Sequence, residues 1–311
     1  MLNHTDRTLI GWPELSHPFG LAPQVSLNGN AMTPDLYREH CMHIDHQASS
    51  LFSCLTTIEH VYYAASLFNG AYSYDDSMWQ VDRILAATTL LDCRHILVGN
   101  PSHREHLSTG QRRRLALALA LAKRPSVLVA DGPTMGLDAV SAAAIMQLLG
   151  KLARSMQTAV VCTLDQPAAS VLAGVDTLLL LAKGRVAYYG TAAELGPYLA
   201  SLGMAVPAGV SVGEYALELV NAETYSETHV ESLLQAWRAT HPPDAPLVVA
   251  ELVSVTKRPD FQQRVATMLH LQGTMMIRDH RLLGGKVASS FLPALFYALF
   301  YLHARHREQV G

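Results

Sequence analysis

The sequence predicts an α/β fold, a mainly parallel sheet flanked by helices, followed by a linker and a C-terminal apolar helix. Three observations carry that prediction. Between residues 108 and 203, short continuous apolar runs alternate with helix-period stretches. Half of the 311 residues are hydrophobic, enough for a substantial core. Residues 287–302 (VASSFLPALFYALFYL) carry no charge and stand apart at the C-terminal end.

Taken in order, residues 1–24 are rich in Pro, His and Gly without a period and read as an irregular lead-in. A short strand at Val25, Ser26 and Leu27 meets Asn28-Gly29, a hairpin turn signal. Across 57–96 the apolar residues recur at helical spacing, as at Ile84, Leu85, Thr88 and Leu91. A helix over 108–123 is stopped by Pro125, and a buried apolar strand follows at 127–130. A second helix covers 139 to about 155, and the alternation repeats with a strand at 159–163 and a helix begun by Pro167. A strand at 177–181 leads through Lys183-Gly184 into another at 186–189. The next helix opens with a capping box from Thr191 to Glu194 and ends at Gly203. Such alternation implies a parallel sheet covered on both faces.

Residues 221–262, broken by Pro242, Pro243 and Pro246, read as a linker with one helix around Trp237. Val265, Met268, Leu269, Gln272 and Met276 form one stripe of an amphipathic connecting helix over 263–284, suited either to a membrane surface or to ordinary packing. Residues 285–304 are expected to cross a membrane. The interval between Lys286 and Arg305 would span about 27 Å as a helix, close to the hydrocarbon thickness.

A formal charge of −3 and a pI near 6.6, with scattered Lys and Arg, exclude the dense basic surface that nucleic-acid binding needs. The four cysteines, Cys41, Cys54, Cys93 and Cys162, form no CxxC pair, as expected of buried thiols in a reducing cytosol. The N-terminal residues lack the charged flank and apolar run of a signal peptide.

The chemistry-bearing stretch is Leu107-Ser108-Thr109-Gly110-Gln111, followed by Arg112-Arg113-Arg114 and an apolar helix, then Asp131-Gly132-Pro133-Thr134-Met135-Gly136-Leu137-Asp138. In order and spacing these resemble the signature, the Walker B aspartate and the D-loop of ABC transporters. The serine suits an N-cap, and a helix start with a glycine in its first turn is an anion site by geometry and dipole. Gln47, with Leu51-Phe52, Leu55-Thr56 and Glu59, resembles the Q-loop and the "LTVRE" run of the G subfamily, the white and sterol half-transporter type. Cys162-Thr163-Leu164-Asp165-Gln166-Pro167 resembles its "CTIHQP" switch, and the stretch 181–190 its "LSKGRVVYFG". The resemblance covers roughly 25–302. It implies a P-loop-NTPase-like nucleotide-binding domain over 25–220, with a helical subdomain carrying the signature, placed before a membrane helix.

The pattern is also broken. No GxxxxGK[ST] phosphate loop occurs, so in family terms the domain is expected to be incomplete at its N-terminal end. The catalytic glutamate and switch histidine positions hold Gly132 and Asp165, so no intact catalytic residue remains. A carboxylate facing a triphosphate repels it. The resemblance implies that Gln47, Ser108, Thr109, Gly110, Gln111, Asp131 and Asp138 would contact ATP, with Asp131 and Gln47 serving Mg2+. ABC sites being composite, the expected partner is another G-subfamily half-transporter, with a heterodimer favoured and membrane lipid around it. The implied function is ATP-driven export of lipid or sterol-like substrates, with this chain's own site degenerate. The competing expectation is a truncated, non-transporting fragment with a structural or regulatory role.

Overall fold

The computed structural model describes residues 26–28, 30–45, 51–69, 74–99, 106–165, 167–221, 227–240 and 259–278, and a few positions between 284 and 297. The irregular lead-in 1–24, the candidate magnesium residue Gln47 and most of 287–302 lie outside them. The chain divides into two compact units, one built from 1–49 and 123–255, the other from 50–122 and 256–311.

The first unit begins with the expected hairpin, β1 (Ser26–Leu27) against β2 (Asn30–Ala31), turned through Asn28 at φ 50°. Thr33 caps α1 (Pro34–His40) by accepting from the Leu36 amide, and Pro34 presets its first turn. Without a loop, α1 runs into β3 (Cys41–Ile44), which pairs in parallel with β4 (Val127–Ala130). β4 pairs in parallel with β5 (Ala159–Cys162), placing Ala130 beside both Ile44 and Cys162. The crossover from β4 to β5 is α5 (Ala139–Met156), whose Ala142, Ile145, Met146, Leu149 and Leu152 recur at helical spacing and are buried. Gln157, at φ 52°, ends α5, and the buried Thr158 hydroxyl then donates to the Pro125 carbonyl at 2.9 Å.

The sheet differs from expectation after β5. β6 (Leu178–Ala182) and β7 (Arg185–Gly190) form an antiparallel hairpin instead of extending the parallel order. Lys183 and Gly184 both take left-handed dihedrals, φ 48° and 73°, so two residues reverse the chain, whereas a parallel partner needs a long crossover. Nor are both faces covered among the described residues: Val161, Leu179, Leu181 and Tyr189 are exposed.

Three helices bury the inner face of that hairpin. They are α7 (Ala192–Ser201), capped by Thr191, then α8 (Val212–Val220) and α9 (Glu227–Thr240). Leu180, Ala187 and Tyr188 share one core with Leu195, Leu199, Tyr215, Leu219, Val230, Leu233 and Trp237. Tyr188, Tyr198 and Trp237 pack ring against ring at 5.1 to 5.7 Å. α9 lies in the stretch expected to be a linker, yet its apolar face is buried in this core. Each such large side chain contributes about 1.5–3 kcal/mol. The short α6 (Ala169–Leu172) follows Pro167 and touches the start of α8.

The second unit is helical. α2 (Thr57–Phe68) opens with a complete capping box between Thr56 and Glu59. It packs against α3 (Tyr74–Ala87), α4 (Thr109–Ala122) and α10 (Phe261–Arg278). The α10 stripe was open to two expectations; the structure sets α10 on α2, with Leu271 buried and Tyr63 bonded to His270 and Thr274. Arg278 grips the Glu59 carboxylate in a fork at 2.7 and 2.8 Å. Among the described residues no helix is long and apolar enough to cross a membrane. Of the run 287–302, Ser289, Phe291, Pro293 and Leu295, Phe296 and Tyr297 are described, all helical and exposed.

Candidate nucleotide site

Two sets of candidate residues stand in the two units, and each is built locally. In the second unit the signature turn is a reciprocal cap. The Ser108 hydroxyl accepts from the Gln111 amide at 3.2 Å, and the Gln111 side-chain oxygen accepts from the Ser108 amide at 2.8 Å. Gln111 therefore has a structural task. Thr109 and Gly110 fall in the first turn of α4, where helix geometry leaves amides without an intrahelical acceptor. Ser108 and Thr109 are exposed, and a Cβ placed on Gly110 would meet nothing within 4 Å. These amides, at the positive end of a fourteen-residue helix, form a surface suited to an oxyanion.

In the first unit Asp131 follows β4 directly. Its amide continues the ladder to the Ile44 carbonyl at 2.8 Å, and its carboxylate accepts from the Thr163 hydroxyl at 2.6 Å. The Thr163 oxygen accepts in turn from the Gly132 amide at 2.8 Å. Thr163 thus fastens the end of β5 to the turn after β4. The turn continues through Gly132 at φ 53° and Gly136 at φ 72°, with Met135 and Leu137 amides bonded to Gly132 and Thr134 carbonyls. It ends at Asp138, whose carboxylate caps α5 by accepting from Val140 and Ser141, both at 3.0 Å. Hydrogen bonds from Ser141, by side chain and backbone, and then from Val140 hold the Asp138 carboxyl below the usual range.

Gly132 and Asp165 occupy the positions where the resemblance implies a catalytic base and a switch histidine. Gly132 has no side chain to polarise a water, and Asp165 is exposed two residues beyond Thr163. Pro167 is buried against α8, where a Cβ on Gly213 would lie 3.2 Å from the Pro167 ring and 2.5 Å from Leu172. Among the described residues no group of three His, Cys, Asp or Glu side chains could hold a metal alone. Asp131 fits magnesium as a single hard oxygen ligand that needs phosphate oxygens to complete the shell.

Sequence reasoning missed Thr163 and Arg112. Thr163 follows a strand in parallel register with β4, a signal available only once the pairing of Ala130 with Cys162 is known. Arg112 is one of three consecutive arginines, and nothing in the string separates it from its neighbours.

The sequence model of the ABC transporter family matches residues 20–135. ABC transporter G family member STR2 of Petunia hybrida is 31% identical over 77% of this chain and 33% of its own length. Family member 7 of Arabidopsis thaliana is 33% identical over 72% of the chain and 30% of its own length. Protein white of Drosophila melanogaster is 30% identical over 62% and 28%. Among solved structures, cbiO1 from Clostridium perfringens, part of the ABC transporter complex cbiONQ, is similar at 26% identity and a TM-score of 0.43, over 52% of this chain and 63% of that one. The chain spans about a third or less of the length of these curated relatives. By these likenesses and its match to that family model, the chain belongs to the ABC transporters as a nucleotide-binding domain of the G subfamily.

Proposed function

We propose that this chain is the non-catalytic half of a G-subfamily pair, lending its signature turn to an ATP site whose phosphate loop belongs to a partner half-transporter. One contrast carries the reading. The signature turn is complete and capped, with Ser108, Thr109, Gly110 and Gln111 in place, whereas Gly132 and Asp165 stand where water activation and phosphate contact are needed.

In that role the Ser108 hydroxyl and the first-turn amides of α4 would meet the γ-phosphate, and Asp138 would hold the start of α5 at the junction. Asp131, with Gln47, would serve the magnesium of a nucleotide bound beside them, which neither could fix by itself. The bound metal supplies charge neutralisation of the phosphates; the chain's own task is to orient donors. By resemblance the pair would export a lipid or sterol-like substrate. The domain limits 25–220, 263–284 and 285–304 belong to the same proposal, with 221–262 between them carrying α9; membrane attachment through 285–304 rests on the uncharged run 287–302.

The test is co-expression with an intact G-subfamily half-transporter and assay of the purified pair. Ser108→Ala removes one donor to developing charge, a loss typical of about a hundredfold in rate. The isolated chain is expected to show no turnover. A pair that forms normally and whose ATPase is indifferent to Ser108→Ala would overturn the proposal and leave a fragment with a structural role.

A further inference from the structure

The signature turn is held from behind by one side chain. Arg112, in the first turns of α4, donates from Nε to the Leu107 carbonyl at 3.2 Å and from one terminal nitrogen to the carbonyls of Val98 at 2.8 Å and Gly99 at 2.5 Å. Leu107 is the residue immediately before Ser108, and its amide also donates to the Val98 carbonyl, at 3.4 Å. Residues 98 and 99 are themselves fixed: their amides donate to Leu55 and Ser53 carbonyls, each at 2.9 Å, and Leu97 bridges Thr56. Leu55, Val98 and Leu107 are fully buried, so this backing is set in the core of the helical unit.

We propose that Arg112 is the positioning residue of the signature turn, its guanidinium fork locking the carbonyls of Leu107, Val98 and Gly99 so that the Ser108 hydroxyl and the Thr109 and Gly110 amides keep one aim. The functional part of this inference rests on the proposed loan of the signature to a partner's ATP site. Arginine is required by the geometry. Its planar fork reaches carbonyls of two chain segments at once, whereas a lysine ammonium is a point donor on a flexible stem. Both residues favour a helix and carry the same charge, so Arg112→Lys alters the clamp and little else. The clamp touches no phosphate. Its effect passes through residue 107 into the cap between Ser108 and Gln111.

The test compares Arg112→Lys and Arg112→Gln with the native full chain, each paired with the intact half-transporter. Amide hydrogen exchange at 98, 99, 107, 108 and 111 is expected to quicken about tenfold or more, as for loss of hydrogen bonds to a charged donor. Exchange over 115–122, further along α4, stays unchanged. The pair's kcat is expected to fall about tenfold while KM for ATP moves less than about twofold, because the partner's phosphate loop still binds nucleotide. Unchanged exchange at 98, 99, 107, 108 and 111 in both variants would overturn the inference. So would faster exchange with unchanged kcat when Ser108→Ala, measured alongside, lowers kcat. Faster exchange with neither Arg112→Lys nor Ser108→Ala affecting kcat keeps the clamp and removes the composite-site reading. If Arg112→Gln fails to accumulate, the lysine variant carries the comparison.

Discussion

Gly110 offers the sharpest separation of stability from function in this chain. It lies in the first turn of a fourteen-residue helix, and a Cβ added there meets nothing within 4 Å. Nothing among the described residues therefore requires glycine at this position. Glycine costs a helix about 0.5–1 kcal/mol relative to alanine, less near an end. Gly110→Ala should consequently stabilise the protein, raising Tm by about 1–4 °C. In the proposed composite site the same methyl group would stand where a phosphate comes within hydrogen-bond distance of the backbone, and displacing an oxyanion by a fraction of an ångström forfeits part of a donor's contribution. A loss of about tenfold in the paired ATPase is expected. Differential scanning calorimetry and the ATPase of the co-purified pair read the two effects independently. Gly136 is the control: it too has open space, but at φ 72°, so Gly136→Ala should lower Tm. A Gly110→Ala chain that melts earlier would show a packing constraint the geometry does not contain, and unchanged ATPase would refute phosphate approach at this turn.

Two other perturbations follow from the packing. Gly213→Ala drives a Cβ to 2.5 Å from the Leu172 methyl and 3.4 Å from the Pro167 carbonyl, so it should destabilise by about 1–3 kcal/mol, read as a lower urea midpoint with an unchanged m-value. His60 is buried, accepts from the Phe52 amide at Nε2 and must donate from Nδ1 to the Thr56 carbonyl, so a proton on Nε2 has no place. Burial lowers its pKa, outweighing the Thr56 hydrogen bond and Glu59, which raise it. The unfolded chain then binds more protons, and this stability is complete above the ordinary histidine value of about 6.5 and lost as pH falls through the depressed one. Urea midpoints at pH 7.5 and 5.5 should differ less in His60→Asn than in the native chain; equal differences would show that His60 does not titrate with folding.

The parts of the fold that were legible in the sequence are those whose signals are local and repeated. Pro125 ends α4, Asp138 caps α5, and the runs at 127–130 and 159–162 are apolar along their length, so their strands and helices fall where expected. α1 and β3 escaped because they adjoin without a turn and because His43 interrupts the apolar run. α9 falls where a helix is expected around Trp237, but its packing is not local: the prolines after it suggest a linker, while the partners of Val230, Leu233 and Trp237 lie on a hairpin 40 or more residues upstream. The reversal at Lys183-Gly184 was readable in principle, since two residues between apolar strands can only make a hairpin.

The candidate site divides along the same line between local and distant information. The signature turn is a contiguous string, and its cap closes within four residues, so sequence and structure describe the same object. The Asp131 site is assembled across two strands, and its character depends on Thr163, 32 residues later. That hydroxyl donates to the carboxylate and accepts from the Gly132 amide, so it constrains both the magnesium candidate and the backbone of Gly132. Restoring a carboxylate with Gly132→Glu would therefore add a side chain to a residue at φ 53°, a left-handed conformation that costs a non-glycine residue about 1 kcal/mol or more. The turn is shaped around glycine as well as lacking the acid. A single substitution at 132 would have to reshape the bond to Thr163 before it could aim at water, so on the proposed reading the absence of a base there lies in the local backbone and in the missing side chain together.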